Sequence, residues 1–134
     1  MRKTSANYRL AVLAGVTLLG ATAFLAVAAT SAPDAVKADP KHYKVVFEND
    51  QVRVLRISYG PHEKSVMHSH PAGVVVYLNN ITATFTMPDG KVVPASGKAG
   101  EVFWSGPTTH LPENTGDKPF EVIEVELKGK PAAK

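Results

Sequence analysis

From Tyr43 onward the chain is a series of short apolar, β-branched runs broken by turn residues, and their period is close to two. Tyr43-Lys44-Val45-Val46-Phe47 predicts a first strand, stopped at Glu48-Asn49-Asp50. Gln51 to Tyr59 predicts a second, ended by Gly60-Pro61; its alternation slips between Val54 and Leu55, which predicts a bulge. Ser65 to His70 predicts a third strand. Val74 to Leu78 predicts a fourth, apolar throughout as expected of a strand covered on both faces. Ile81 to Met87 places Ile81, Ala83, Phe85 and Met87 on one face. Thr82, Thr84 and Thr86 fall on the other, which reads as a solvent-facing side. Pro88-Asp89-Gly90 is a tight turn, Pro fixing φ and Gly supplying a positive one. Short strands follow at Lys91–Val93 and Val102–Trp104. Phe120 to Leu127 alternates strictly and predicts Ile123, Val125 and Leu127 inward, with Glu124 and Glu126 outward. No window shows an extended apolar pattern of period 3.6. About eight short strands without a helix predict an all-β sandwich or barrel.

The N-terminal third has a different texture. Met1 to Arg9 is short and basic, Leu10 to Ala29 carries no charge, and Ala26-Val27-Ala28 fits the small-x-small pattern of a signal-peptidase site. Thr30-Ser31-Ala32 is a second place for cleavage. Residues 1–29 are therefore expected to be a signal peptide or, alternatively, a membrane anchor, because about twenty apolar residues can span a bilayer. The Ala-, Gly- and Thr-rich composition favours cleavage. Either way the folded part is expected outside the cytoplasm, periplasmic or secreted. Residues 30–42, small, polar and Pro-punctuated, read as a linker. Residues 43–128 read as the domain and 129–134 as a tail.

The formal charge of +3 changes little, since Arg2, Lys3 and Arg9 supply the whole excess and no acidic residue precedes Asp34. The remainder is balanced and has no basic run, which argues against nucleic acid as a partner. The chain has no cysteine, so a disulfide framework, a thiolate nucleophile and a Cys-ligated zinc are excluded.

The candidate chemistry is in Ser65-Val66-Met67-His68-Ser69-His70-Pro71, with His110 as its partner. On a strand, residues i and i+2 share a face, so His68 and His70 point to one side. Two neighbouring imidazoles can close on a metal at about 2.0–2.1 Å from each ring nitrogen; the plainer alternative is a pair of polar residues on a wetted face.

Two motifs resemble those of the small single-domain cupins. Gly60 precedes His68-Ser69-His70, with a slightly long spacer, in the manner of the family's glycine and His-x-His motif. Gly100, then Gly106-Pro107-Thr108-Thr109, His110 and Asn114 resemble its second motif. The resemblance covers Tyr43 to about Leu127. It implies a double-stranded β-helix or jelly-roll barrel, with His68, His70 and His110 facing one another as ligands of a divalent metal. The sequence departs from the pattern where the family's ligand Glu is expected, since Val74 or Val75 stands there. Without that carboxylate, three imidazoles favour Fe, Zn, Cu or Ni over manganese.

The remaining polar candidates have plainer readings. His62 is expected in an exposed loop, with a fourth-ligand role as the alternative. Glu113 could reach back as a replacement carboxylate but reads first as a solvated residue. Asn114 is expected to bond its own loop backbone, and His42 to lie on the surface. Tyr77, Phe85 and Trp104 are core residues or pocket walls. The expected partner is a small-molecule ligand or substrate, with homodimerisation open and membrane contact only through an uncleaved N-terminal segment. Two functions follow from the resemblance: a dioxygenase- or isomerase-type enzyme acting on a small oxygenated molecule, or a non-catalytic binding module.

Overall fold

The computed structural model describes residues 31–129, so the expected signal or anchor at 1–29 and nearly all of the tail lie outside the described residues. The strands are β1 (Tyr43–Glu48), β2 (Val52–Tyr59), β3 (His68–His70), β4 (Gly73–Tyr77), β5 (Ile81–Thr86), β6 (Val92–Gly97), β7 (Val102–Ser105), β8 (Thr108–Asn114) and β9 (Phe120–Leu127). They form two antiparallel sheets, one in the order β1-β2-β9-β4-β7 and one in the order β3-β8-β5-β6. Leu55, Ile57, Tyr59, Tyr77, Ile81 and Phe120 are buried among the residues that fill the core between them.

The alternation in the sequence places these strands because each has one face to bury. β8 was not expected as a strand: Thr108-Thr109-His110-Leu111-Pro112 has no apolar alternation, and its Pro cannot donate to a ladder. It is held instead by pairing on both sides, His68 opposite His110 and Phe85 opposite Pro112. The expected bulge exists, but on the partner strand. Val45 faces Leu55 and Phe47 faces Val54, so the extra residue is Val46 of β1.

The last strand corrects the sequence reading. Val122, Glu124 and Glu126 of β9 are buried, whereas Leu127 is exposed and Ile123 and Val125 are half-buried. The register with β2 sets Glu124 opposite Leu55 and Glu126 opposite Arg53, on the inner face. The outer face is itself apolar, with Phe47, Val54, Val125, Val74 and Trp104 in register across all five strands. Strict alternation separates two faces; it does not say which one is inside when both are apolar.

Gly73 belongs to the same arrangement. A Cβ there would sit 2.4 Å from the Val125 carbonyl oxygen, so only glycine lets β4 come this close to β9 beside Glu126.

The segment expected as a linker is ordered from Asp34 on. Asp34 caps the short helix α1 (Ala35–Ala38) by accepting from Val36 N at 3.1 Å, and Ala35 is fully buried. The backbone before it covers the free edge of β3, with Ser69 N donating to Pro33 O at 2.8 Å. His42, expected on the surface, is buried; it stacks on Tyr59 at 4.3 Å between ring centroids and is bonded on either side by Asp39 and Glu63. Among the described residues no helix is long and apolar enough to cross a membrane.

Candidate metal centre

The three histidines converge as expected. β3 presents His68 and His70 on one face, and the pairing of His68 with His110 brings the third ring against them. Ring centroids lie 4.9 Å apart for His68 and His70, 5.1 Å for His68 and His110, and 5.5 Å for His70 and His110. One ring nitrogen from each lies within 4.8 Å of the others. Phe85 stacks on His110 at 4.7 Å and fixes its plane.

The donor atoms suit a cation. His68 Nδ1 lies 2.8 Å from the Val66 carbonyl oxygen, which accepts only an N–H, so the ring's lone pair is on Nε2. That Nε2 is buried and has no hydrogen-bond partner among the described residues. A buried acceptor left unpaired costs about 1–3 kcal/mol, and a metal ion would satisfy it. His70 follows the same logic, its Nδ1 standing 2.9 Å from Glu126 Oε1 and 3.2 Å from Glu124 Oε2. A carboxylate on one nitrogen of a histidine orients the other toward a metal.

The electrostatics keep two of the imidazoles neutral, as ligation requires. Burial, then the charge of His70, lowers His68 to about 4; burial, then His70 and His68, lowers His110 to about 3. Burial also pushes the Glu124 carboxyl up to about 7, the nearby His70 and Arg53 only partly offsetting it. Glu126 goes the other way: burial would raise it, but hydrogen bonds from His70 and Arg53 hold it below the usual carboxylate value.

These shifts predict how the metal-free protein responds to acid. Between pH 6.5 and 4.5 the unfolded chain takes up protons on His68 and His110, which the folded state refuses. Only Glu124 holds an extra proton in the folded state. The unfolded state thus binds one more proton net, and stability should fall as pH drops, by about 1.4 kcal/mol per unit. Urea titrations at several pH values measure this slope; stability that is flat or rises on acidification through this window contradicts it.

Two buried carboxylates stand on the strand next to β4. Val75 pairs directly with Glu124, and Gly73 with Glu126. Facing residues of an antiparallel pair have Cβ atoms about 4.5–5.5 Å apart, so Glu124 stands beside Val75, but its carboxyl gathers with Glu126 at His70 Nδ1 and not with His68 and His110. Among the described residues the clustered donors are thus three imidazoles, which suit iron, zinc, copper or nickel, while the carboxylates serve His70 from behind. The signal was in β2: Arg53 shares the inward parity of Leu55, Ile57 and Tyr59, and a cation on that face needs a buried anion.

The other expected residues divide. Glu113 pairs with Lys64 at 3.1 Å and is bound there instead of turning to the metal site. His62 is exposed, has φ of 58°, and meets Asp117 at 2.9 Å. Asn114 is buried and donates to the Gly60 and Lys118 carbonyls, which joins two loops to β8. Tyr77 and Phe85 line the cavity beside the histidines, while Trp104 is 60% exposed on the outer face.

That cavity has a volume of about 310 Å³, near the lower end for small-molecule sites. His70, His110, Glu124, Ser105 and Thr108 are among its polar wall residues, and among the described residues no Lys or Arg lines it. Across the four-stranded sheet the inner face passes from His70 and His110 on β3 and β8 to Phe85 and Val93 on β5 and β6.

No protein-family model matches the sequence, and no curated protein matches it. Solved structures do. A cupin domain from Bordetella pertussis Tohama I aligns with a TM-score of 0.61 at 22% identity, covering 75% of this chain and 99% of that one. An RmlC-like cupin with a double-stranded β-helix fold from Methanocaldococcus jannaschii aligns at 0.52 and 16% identity, over 63% and 77%. An uncharacterized conserved protein with a double-stranded β-helix domain from Klebsiella pneumoniae aligns at 0.50 and 22%, over 66% and 84%. The described domain has the fold of a small single-domain cupin.

Proposed function

We propose that this domain binds one divalent transition metal through His68, His70 and His110 and acts as a dioxygenase- or isomerase-type enzyme on a small oxygenated organic molecule. The observation that carries the reading is the buried, unpartnered Nε2 of His68 inside a three-imidazole cluster. When bound, such a metal supplies a Lewis acid with open positions. The chain's own residues do the rest. His70 and His110 hold the polar side of the cavity, and the Glu124 carboxyl, poised near neutrality, can give or accept a hydrogen bond at a ligand's oxygen. Phe85, Val93 and Met87 exclude water from the ligand's body. With no Lys or Arg among the described residues of the wall, the metal is the anchor for an anionic head, and a second charged group would be buried without a partner there. The substrate therefore has one oxygen-bearing head on an apolar body.

The second reading is a non-catalytic metal- or ligand-binding module, favoured by the Val at both positions where the cupin pattern expects its ligand Glu. Oxygen uptake and product analysis, with the iron-loaded and metal-free protein against a panel of small ketones, enols and phenols, separates the two. Turnover only in the loaded form supports the enzyme; ligand-dependent melting shifts without turnover support the module. The uncharged run and A-x-A pattern of residues 1–29 support export, with the domain acting in the periplasm or outside the cell. The apolar outer row from Phe47 to Trp104 supports a second copy of this chain as a partner.

A further inference from the structure

The segment before β1 reaches the metal centre from beneath. It lies along the edge of β3, where Ser69 Oγ donates to the Ala32 carbonyl at 2.8 Å and Ala35 is sealed in the core. From there Asp34 Oδ2 accepts from Arg53 Nη2 at 2.5 Å. Arg53 Nε donates to Glu126 Oε2 at 2.5 Å, and Glu126 Oε1 accepts from His70 Nδ1 at 2.9 Å. A parallel branch runs from Asp39, which accepts from Ser65 Oγ at 2.5 Å, to His68, whose Nδ1 lies 3.5 Å from the same hydroxyl.

We infer that Asp34 is a positioning residue for His70, acting through Arg53 and Glu126, so that the docked segment 32–39 is a working part of the metal centre. The inference rests on the metal reading above. The physical reason is a choice open to His70. Its Nδ1 has two carboxylates in reach, Glu126 beneath the site and Glu124 on the cavity wall. Arg53 decides between them by holding Glu126 in place, and Arg53 is itself aimed by Asp34. With Nδ1–H given to Glu126, Nε2 keeps its lone pair toward the other two imidazoles. If Arg53 swings free, Glu126 loses its fixed rotamer, and both the tautomer and the tilt of His70 relax.

Asp34→Asn isolates this effect. Asn retains the side-chain oxygen that caps Val36 N, and Asn and Asp are equivalent caps, but the charge that aims Arg53 is gone. In the full chain, the Zn2+ dissociation constant by chelator competition should rise roughly three- to tenfold, against 10- to 100-fold for Glu126→Gln. Asp34→Asn should add little on top of Glu126→Gln, because both act on one path, whereas a general loosening would add. Nitrogen-15 shifts of His70 in the metal-free protein should show the Nδ1–H tautomer losing population in both variants, with Arg53→Lys intermediate. Wild-type Zn2+ affinity together with an unchanged His70 tautomer in Asp34→Asn would overturn the inference. If the wild type binds no Zn2+, the metal reading fails by itself, and the tautomer measurement still decides the positioning role.

Discussion

Glu126→Ala should cost the metal-free protein about 3 kcal/mol at pH 7, a large share of the total for a domain of this size. Glu126 is 1% exposed and takes hydrogen bonds from both Arg53 and His70. Its removal leaves a guanidinium that is 18% exposed without its inner partner and puts His70 in contact with Glu124 alone. Glu124→Gln should behave in the opposite way, although the two glutamates are neighbours on one face of β9. Its carboxyl, pushed up to about 7, is already protonated for much of the time. The substitution should be nearly neutral at pH 4, where the carboxyl is protonated both folded and unfolded, and stabilise by roughly 3 kcal/mol at pH 8, where the wild type must bury the charge, with most of the gain already present at pH 6. Denaturant titrations of both variants at the two pH values read this contrast. Equal losses for the two would mean that the glutamates are interchangeable core acids and that the network from Arg53 to His70 has no separate role.

His68→Leu gives the second large effect, and it appears only when metal is added. In the metal-free protein the change removes an unsatisfied buried acceptor and also the N–H given to the Val66 carbonyl. These oppose each other, so stability should stay within about 1 kcal/mol of the wild type. Metal at about a thousandfold excess over its dissociation constant stabilises a folded protein by about 4.1 kcal/mol. For a domain of under a hundred ordered residues that is a rise of roughly 16–30 °C in Tm. The wild type should show it and His68→Leu should not. A variant that melts far below the wild type without metal would mark His68 as a packing residue. An undiminished metal response in the variant would remove it from the ligand set.

Much of this molecule is legible in its sequence, and the parts that are not fail for definite reasons. The short strands, the turn at Gly90 and the convergence of His68, His70 and His110 follow from alternation, turn chemistry and motif spacing. β8 is hidden because its hydrogen bonds come from neighbours on both sides, so its sequence can be Thr-, His- and Pro-rich without apolar alternation. β9 is misread because the five-stranded sheet is apolar on its outer face too. Two glutamates then pass for a wetted edge, although Arg53 and His70 neutralise them inside. Residues 34–42 look like a tether because their anchors are single contacts with partners far along the chain: Asp34 to Arg53, Asp39 to Ser65, His42 to Glu63. Local pattern carries no trace of such pairings.

The central claim is that the three imidazoles hold a metal, and it is tested most directly by elemental analysis of the full chain. The protein would be purified without chelator or affinity-tag histidines, beside a His68→Ala/His110→Ala double variant. About one equivalent of a transition metal in the wild type, lost in the variant, is the predicted result, and the element found selects the chemistry to assay. No metal in either protein, with melting curves that do not move when iron, zinc, copper, nickel or manganese is added, would contradict the account and leave the histidines as a polar lining of the barrel.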